Sequence, residues 1–302
     1  MAERLQLDPG ALRRFVLESH PVRGHWVQLG EAWRELHGHQ GHPAAVEALL
    51  GETVTAAVLL AATLKFQGTL TLQLAGSGRV GLLVAQCTHD FRLRGVARVD
   101  SPPAAEARFR DLVGDGRLTV TIESEERAAR YQGIVPLEGA SLAASLENYF
   151  ATSEQLPTRL ALAADGERAA GLLLQKLPAA ASGEAEGAEA QRIWEDLEAG
   201  MLLLPEGLLL HGSVDATLHS VFATHDCRLF APQPVRFECR CSAGRVESVL
   251  RSLGAEEMRA VLEEQGAVTV TCEFCQRQYR YDAIDVERLF RPDVGPASSR
   301  PH

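Results

Sequence analysis

The sequence predicts an α+β fold, in which an N-terminal domain of mainly antiparallel sheet with packed helices is followed by a helical linker and a small C-terminal domain. Three observations predict it. Between residues 69 and 137, five short runs alternate apolar and polar side chains, as strands do. One long apolar helix is predicted just before them, over residues 43–66. Four of the six cysteines lie between residues 239 and 275, in a segment with few large apolar residues.

The start of the chain is predicted to form a helix and then a strand. Residues 9–20 are predicted as a helix with Asp8 as its N-cap, because Leu12, Phe15 and Val16 would share one face. The following sequence VRGHWVQL has the composition of a strand.

A second short helix, from about Glu31 to His37, leads into the loop HGHQGHP. Its three histidines, His37, His39 and His42, have no cysteine or carboxylate beside them. We therefore predict a solvated loop here and not a metal site.

The segment of alternating apolar and polar residues, 69–137, contains an apparent nucleotide-binding motif. Its strands are predicted over 69–75, 80–86, 92–99, 117–123 and 131–137. Gly76, Gly78 and Gly81 spell G-x-G-x-x-G, and Asp100 follows at a suitable distance. A dinucleotide site needs a helix that begins at the third glycine, whereas here a strand continues, so the sequence predicts a hairpin turn.

The rest of the N-terminal half offers no catalytic constellation. Residues 141–150 are predicted as an amphipathic helix, and 154–164 and 169–178 as strands. Cys87 is close to His89, but it ends an apolar strand, where a buried and inert thiol is expected. The chain is therefore not predicted to be an enzyme.

The acidic, low-complexity stretch 179–190 is predicted to end the first domain. The predicted division is an N-terminal domain over 1–178, a linker over 179–235 and a C-terminal domain over 236–302. The linker has nine acidic residues against two arginines, and the C-terminal domain has eleven acidic residues against ten arginines. Nucleic-acid binding concentrates positive charge, so this charge distribution argues against it.

The linker is predicted to contain several short helices that need a surface to pack on. Gly200, Pro205 and Gly207 interrupt its helical spacing. The residues available for one apolar face are Ile193, Trp194, Leu197, Met201, Leu204, Leu208 and Leu209. We expect this face to dock on the N-terminal domain and to be the first part to come loose. A permanently packed pair of helices remains an alternative.

Capping residues and glycines predict the secondary structure of the C-terminal domain. Ser242 is predicted to cap a helix that Gly254 ends, and a second helix is predicted to end at Gly266. The sequence VTVTCEFCQRQYRYD is predicted to form a β-hairpin, and residues 285–290 a last short helix. Because so few large apolar side chains are available, a bound metal is expected to supply much of the folding free energy.

The four clustered cysteines form a C-x-C and a C-x-x-C pair: Cys239, Cys241, Cys272 and Cys275. Two thiolate pairs are typical of a structural zinc site. If oxidised, the C-x-C pair would close a small and strained disulfide ring, which is the labile kind. A static zinc site that never changes state is an alternative. A thioredoxin-type role is disfavoured, because strands flank the C-x-x-C on both sides.

The segment from FECRCS to TCEFCQRQYRYDAIDV closely resembles the redox-switch domain of the thirty-three-kilodalton heat-shock protein family, the redox-regulated holdase chaperones of bacteria. The likeness covers nearly the whole chain. It extends through VRGHWVQL, ATLKFQGTLTLQLAGSG, RGVAR, DLVGDG, RYQGIVPLEG, LENYFATSEQLPTRL and AAGLLLQKLP. Cys87 and Cys227 match no position of the family's switch motif, so neither is assigned a role.

This resemblance implies a stress-response chaperone that is inactive while one Zn²⁺ per chain is held by the four reduced cysteines. The resemblance further implies that oxidation forms the disulfides Cys239–Cys241 and Cys272–Cys275, and that zinc is then lost and the linker unfolds. The N-terminal domain then binds unfolding client proteins without ATP and forms a homodimer, whereas the reduced protein is a monomer. Two other classes remain to be distinguished, a thiol–disulfide oxidoreductase and a zinc-ribbon protein that binds nucleic acid.

A cytoplasmic location without membrane association is expected. The N-terminal sequence MAERLQLDPGALRRF lacks the apolar core of a signal peptide. The most apolar stretch, Val54 to Leu64, is too short to span a bilayer.

Overall fold

The structure, a computed structural model, describes residues 10–18, 20–104, 106–124, 130–178, 184–223 and 225–291. It confirms the α+β class and divides into two compact units, one ending at Glu238 and the other beginning at Cys239. The predicted Asp8 cap, residues 179–183 of the acidic stretch and the residues after 291 lie outside the described residues.

The elements of the first unit, in chain order, are β1 (Ala11–Leu17), β2 (Val22–Leu29), α1 (Glu31–His37), α2 (Ala44–Thr63), β3 (Gly68–Ala75), β4 (Val80–Thr88), β5 (Arg92–Val99), α3 (Phe109–Val113), β6 (Arg117–Ser124), β7 (Arg130–Pro136), α4 (Leu142–Tyr149), β8 (Thr158–Ala164), β9 (Ala169–Lys176), α5 (Glu184–Leu202), α6 (Glu206–His211), α7 (Val214–Phe222), β10 (Cys227–Leu229), β11 (Gln233–Pro234) and β12 (Arg236–Phe237).

These strands form two sheets that enclose helix α2. One sheet has the order β10-β1-β2-β9-β8, with β11 also paired to β1, and the other has the order β12-β5-β4-β3-β6-β7. All pairs are antiparallel except β12 with β5. Of the described helices, α2 is long and apolar enough to span a membrane, unlike the shorter stretch considered from the sequence. Yet 72% of its apolar window is buried, as expected of a core helix.

The prediction of a helix over residues 9–20 is wrong, because this segment forms strand β1. Both faces of β1 are covered, so its apolar residues do not alternate cleanly. Leu12 belongs to the core around α2, whereas Phe15 and Leu17 belong to a second core on the other side of the sheet. Pairing with β2 and with the distant β10 therefore overrides the local helical spacing.

Most other element predictions for the sheet domain agree with the structure, but the strand predicted over 154–164 begins only at Thr158, because Phe150–Glu154 form a π-helical turn. The five alternating runs form β3 to β7, and the glycine motif lies in the β3–β4 hairpin and at the start of β4. Gly76 and Gly78 are needed there because a side chain at either would meet the backbone of Val113 or Leu112 in α3. His37 stacks on Trp33 and bonds to its carbonyl oxygen at 2.8 Å, so it has a structural role.

The linker helices α5 to α7 pack on the outer face of the first sheet. Trp194, Leu197 and Met201 of α5 share a buried cluster with Phe15 and Trp26 of the sheet. The predicted break at Pro205 is confirmed, since this residue lies between α5 and α6. The predicted breaks at Gly200 and Gly207 are wrong, because these residues lie inside α5 and α6. Leu208 is only partly buried, and the neighbouring Leu209 and Leu210 fill the cluster instead.

The burial of Glu52 on α2 and the charge of Glu206 on α6 predict a pH dependence of stability. Burial, together with the charge of Glu206 on α6, raises the pKa of Glu52 on α2 from 4.5 to about 7. The folded protein therefore holds more protons than the unfolded chain between these pH values. The contribution of Glu52 to the free energy of unfolding is greatest below pH 4.5 and is lost as the pH rises through 7.

We expect Glu52→Gln to remove this dependence and to raise the free energy of unfolding at pH 8 by roughly 2 kcal/mol. Urea unfolding at pH 5 and pH 8 measures the effect, and Glu35→Gln, on the exposed side of α1, is the matched control. Equal pH slopes in the wild type and the Glu52→Gln variant would contradict the prediction.

The second unit contains α8 (Ala243–Leu253), α9 (Ala255–Gln265), β13 (Val268–Thr271), β14 (Gln278–Tyr281) and α10 (Ala283–Leu289). The predicted caps are confirmed, because the Ser242 hydroxyl accepts a hydrogen bond from the Arg245 N–H and the left-handed Gly266 ends α9. Among the described residues, its hydrophobic core cluster has six buried members, Leu250, Met258, Val268, Tyr281, Val286 and Leu289. So small a core is marginal without a further stabilising group.

Candidate metal centre

The four clustered cysteines come from two places in the second unit. Cys239 and Cys241 lie in the extended segment just before the Ser242 cap of α8, and Cys272 and Cys275 lie in the turn between β13 and β14. The turn is closed by two backbone hydrogen bonds, from the Cys272 N–H to Arg277 and from the Gln276 N–H to Cys272. Gln276 has φ of 54°, which turns the chain back after the second cysteine.

The sulfur atoms converge on one point. Cys239 Sγ lies 3.6 Å from Cys272 Sγ, Cys241 Sγ lies 3.5 Å from Cys275 Sγ, and all four lie within 4.8 Å of one another. Four thiolates at the usual Zn–S distance of about 2.3 Å from a tetrahedral ion lie about 3.8 Å apart. The donor set and its spacing therefore fit zinc. Within the described ranges, no other set of three or more histidine, cysteine or acidic side chains converges in this way.

Burial and hydrogen bonds shift the pKa values of Cys239 and Cys241 in opposite directions. Desolvation, with the neighbouring thiols, raises the pKa of Cys239 to about 12. Desolvation also opposes ionisation of Cys241, but hydrogen bonds from Tyr279 and the other thiols outweigh it and lower the pKa to about 7. The hydrogen bond from Tyr279 therefore favours the thiolate of Cys241, and the thiolate is the species that binds metal or attacks an oxidant.

Tyr279 is a site residue that the sequence reasoning missed. Its hydroxyl donates a hydrogen bond of 3.1 Å to Cys241 Sγ. The one available signal was its place on β14, seven residues after Cys272, which brings it back beside the C-x-C segment only once the hairpin is formed.

Removal of this hydroxyl should weaken metal binding. We expect Tyr279→Phe to lower zinc affinity by roughly tenfold, because partners that bond to metal ligands typically contribute 10- to 100-fold. Competition with a chromophoric chelator measures the affinity, and Tyr131→Phe, in the first unit, is the control. Equal zinc affinity in Tyr279→Phe and wild-type protein would contradict the assignment.

The two remaining cysteines lie in the first unit. Cys87 is fully buried on β4, and burial, with the nearby Asp90 charge, raises its pKa far above the ordinary value. Cys227 is half-buried on β10, and burial raises its pKa to about 11. The expectation that Cys87 is buried is thus confirmed, and its raised pKa fits an unreactive thiol. The assignment of the other four cysteines as zinc ligands and redox partners stays a prediction.

Comparison with known proteins gives a consistent result. The family model described as Hsp33 protein matches residues 10–282. A "33 kDa chaperonin" of Nitrosococcus oceani is 43% identical over 292 residues, covering 96% of this chain and 98% of that protein. One of Pseudomonas paraeruginosa is also 43% identical and covers 95% and 97%. The crystal structure of the 33 kDa chaperonin from Thermotoga maritima matches with a TM-score of 0.78 at 22% identity, over 92% of this chain and 97% of that one. The chain belongs to the Hsp33 family.

Proposed function

We propose that this protein is a redox-regulated, ATP-independent holdase chaperone. In its reduced state Cys239, Cys241, Cys272 and Cys275 hold one Zn²⁺, and the protein is an inactive monomer. An oxidant such as peroxide takes two electrons from each pair, Cys239 with Cys241 and Cys272 with Cys275, so that two disulfides form and peroxide is reduced to water. The zinc is released because disulfide sulfur is a poor ligand. The convergence of the four sulfur atoms is the observation that carries the proposal.

Loss of zinc is expected to unfold the second unit. The described part of the unit has a core cluster of six buried residues, and structural zinc contributes roughly 10–16 kcal/mol of apparent binding free energy in small zinc domains. No comparable source of stability remains once the sulfurs are oxidised. The four cysteines are half-buried, so a small oxidant can reach them.

Unfolding of the second unit is expected to destabilise the linker, because the two are joined by the chain just before Cys239. The residues just before Cys239 are fixed in the first unit: Phe237 pairs with β5, and Glu238 forms an ion pair of 2.8 Å with Arg92. The Arg92–Glu238 pair is exposed and therefore weak. We propose that unfolding after Cys239 frees β12 and then the helices α5 to α7.

Release of the linker would expose two apolar surfaces. One is the face of α5 that contains Trp194 and Leu197, and the other is the sheet surface around Phe15 and Trp26 that this face covers. Extended apolar patches of this kind bind other proteins. We propose that these surfaces bind unfolding clients, that the oxidised protein is a homodimer, and that it acts in the cytoplasm without nucleic acid or membrane.

The context of the C-x-x-C pair favours this function over catalytic disulfide exchange. Cys272 and Cys275 lie in a hairpin turn and not at the N-terminus of a helix, so they lack the helix dipole that activates oxidoreductase thiols. The protein is proposed to sense oxidants and not to turn over disulfide substrates.

Aggregation of a heat-unfolded client, followed by light scattering, tests the proposal. We expect the peroxide-oxidised protein to suppress scattering at about equimolar ratio and the reduced, zinc-loaded protein to leave it unchanged. Equal suppression by both forms would overturn redox control. Catalytic reduction of insulin by the reduced form would favour the oxidoreductase.

A further inference from the structure

A small cavity in the first unit lies far along the chain from the clustered cysteines. It has a volume of about 280 Å³ and lies between the C-terminal end of α2, strands β3, β6 and β7, and helix α4. Leu60, Leu70, Val120 and Leu146 form its apolar walls. Concave, mostly apolar cavities with a few converging polar groups are typical of small-molecule sites.

Three oxygen atoms converge at one end of this cavity. The hydroxyls of Tyr131 and Tyr149 lie 2.9 Å apart, and they lie 3.1 Å and 2.9 Å, respectively, from Glu154 Oε1. Burial, with hydrogen bonds to Tyr131 and Glu154, raises the pKa of Tyr149, so its phenol stays protonated.

A count of protons shows that the cluster of Tyr131, Tyr149 and Glu154 has no free hydrogen-bond donor. Two phenols supply two protons for three oxygen–oxygen contacts, and a glutamate carboxylate supplies none. No proton is left to donate to a ligand, whereas each oxygen retains acceptor capacity. Glu154 has no cationic partner within 4.0 Å among the described residues. The cluster therefore complements a group that carries positive charge and N–H donors, and it would repel an anion.

Aromatic rings complete this end of the cavity. Tyr149 and Phe150 meet edge to face, with ring centroids 5.8 Å apart, and Tyr131 lines the opposite side from β7. Faces of such rings attract organic cations. Tyr131 is 49% exposed, so a ligand can enter from solvent beside it.

An unusual turn positions Phe150 and Glu154 on the rim of the cavity. After α4 the chain continues as one π-helical turn, Phe150–Glu154, which ends at Gln155 with φ of 52°. The backbone N–H groups of Gln155 and Leu156 both donate to the Phe150 carbonyl oxygen. Wide turns of this kind and left-handed residues other than glycine occur frequently at functional sites.

We propose that this cavity binds a small organic cation, with an ammonium group between Tyr131, Tyr149 and Glu154 and an apolar body between α2 and α4. The inference goes beyond the proposed chaperone function and needs neither zinc nor oxidation. The cavity volume limits the apolar body to about the size of a phenylalkyl group.

Three probes of similar shape test the proposal on the reduced, zinc-loaded full chain: 4-phenylbutylammonium, 4-phenylbutanol and 4-phenylbutanoate. Titration calorimetry and ligand-observed NMR give the dissociation constants. We expect saturable binding of the ammonium, roughly tenfold weaker binding of the alcohol, equivalent to about 1.4 kcal/mol, and no binding of the carboxylate. Equal affinity for the ammonium and the alcohol would show a merely apolar cavity and overturn the proposal.

Matched variants locate the site. Glu154→Gln should weaken ammonium binding by roughly tenfold, whereas Glu138→Gln, which makes the same charge change at another exposed position, should leave it unchanged. Tyr131→Phe keeps the ring and removes one oxygen, so a smaller loss is expected. Far-UV circular dichroism and zinc content confirm that each variant is folded. Equal effects of Glu154→Gln and Glu138→Gln would mean that the ammonium binds elsewhere.

Discussion

Replacement of Cys239 or Cys272 by serine will lower zinc affinity by more than about 100-fold and leave the second unit unfolded in reducing buffer. Each of these cysteines contributes one of the four sulfur atoms that lie within 4.8 Å of one another, and an alcohol is a much poorer zinc ligand than a thiolate. Because the core cluster of this unit has six buried residues in its described part, loss of zinc removes its main source of stability.

Zinc content and the amide NMR spectrum of residues 239–291 measure these two effects. Cys227→Ser is the matched control, since Cys227 is half-buried in the first unit, and Cys87→Ser is a second control. Both controls should bind one zinc per chain. If Cys239→Ser or Cys272→Ser retains stoichiometric zinc and a dispersed spectrum, the metal-site assignment is wrong.

Truncation of Leu197 to alanine will weaken linker docking and make the reduced protein bind clients. Leu197 is fully buried between α5 and the sheet, and truncation of such a leucine typically costs about 2–5 kcal/mol. In a linker that docks through one apolar face, that loss is a large fraction of the docking free energy.

Leu202→Ala provides an unusually close control, because Leu202 lies on the same helix and is 87% exposed. Amide hydrogen exchange in α5 and client aggregation should change in Leu197→Ala and not in Leu202→Ala. If both variants keep wild-type exchange rates and remain inactive when reduced, docking through this face does not control activity.

The helix ends of the second unit could be predicted from the sequence, because the residues that set them act locally. Ser242, Gly254 and Gly266 mark helix ends by their own hydrogen bonds or backbone angles, and these act over a few residues. The pairing of the cysteines into one cluster followed from spacing alone. The hydrogen bond from Tyr279 to Cys241 did not, because it joins residues 38 positions apart whose approach depends on the register of the hairpin.

Long-range contacts explain what the sequence could not predict in the first unit. Strand β1 was predicted as a helix because its apolar residues face two different cores, and both cores are assembled from distant segments. The cavity near Tyr131 and Tyr149 gives no signal at all in the sequence. Its polar end exists only because β7 and the turn after α4 meet in space.

The measurement that tests the central claim most directly is zinc release, free-thiol count and far-UV circular dichroism on one sample before and after peroxide treatment. We predict that one Zn²⁺ leaves per chain, that four of the six thiols are lost, and that helix content falls as the second unit and the linker unfold. Retention of zinc with unchanged helix content would contradict a redox switch and would leave a static structural zinc site.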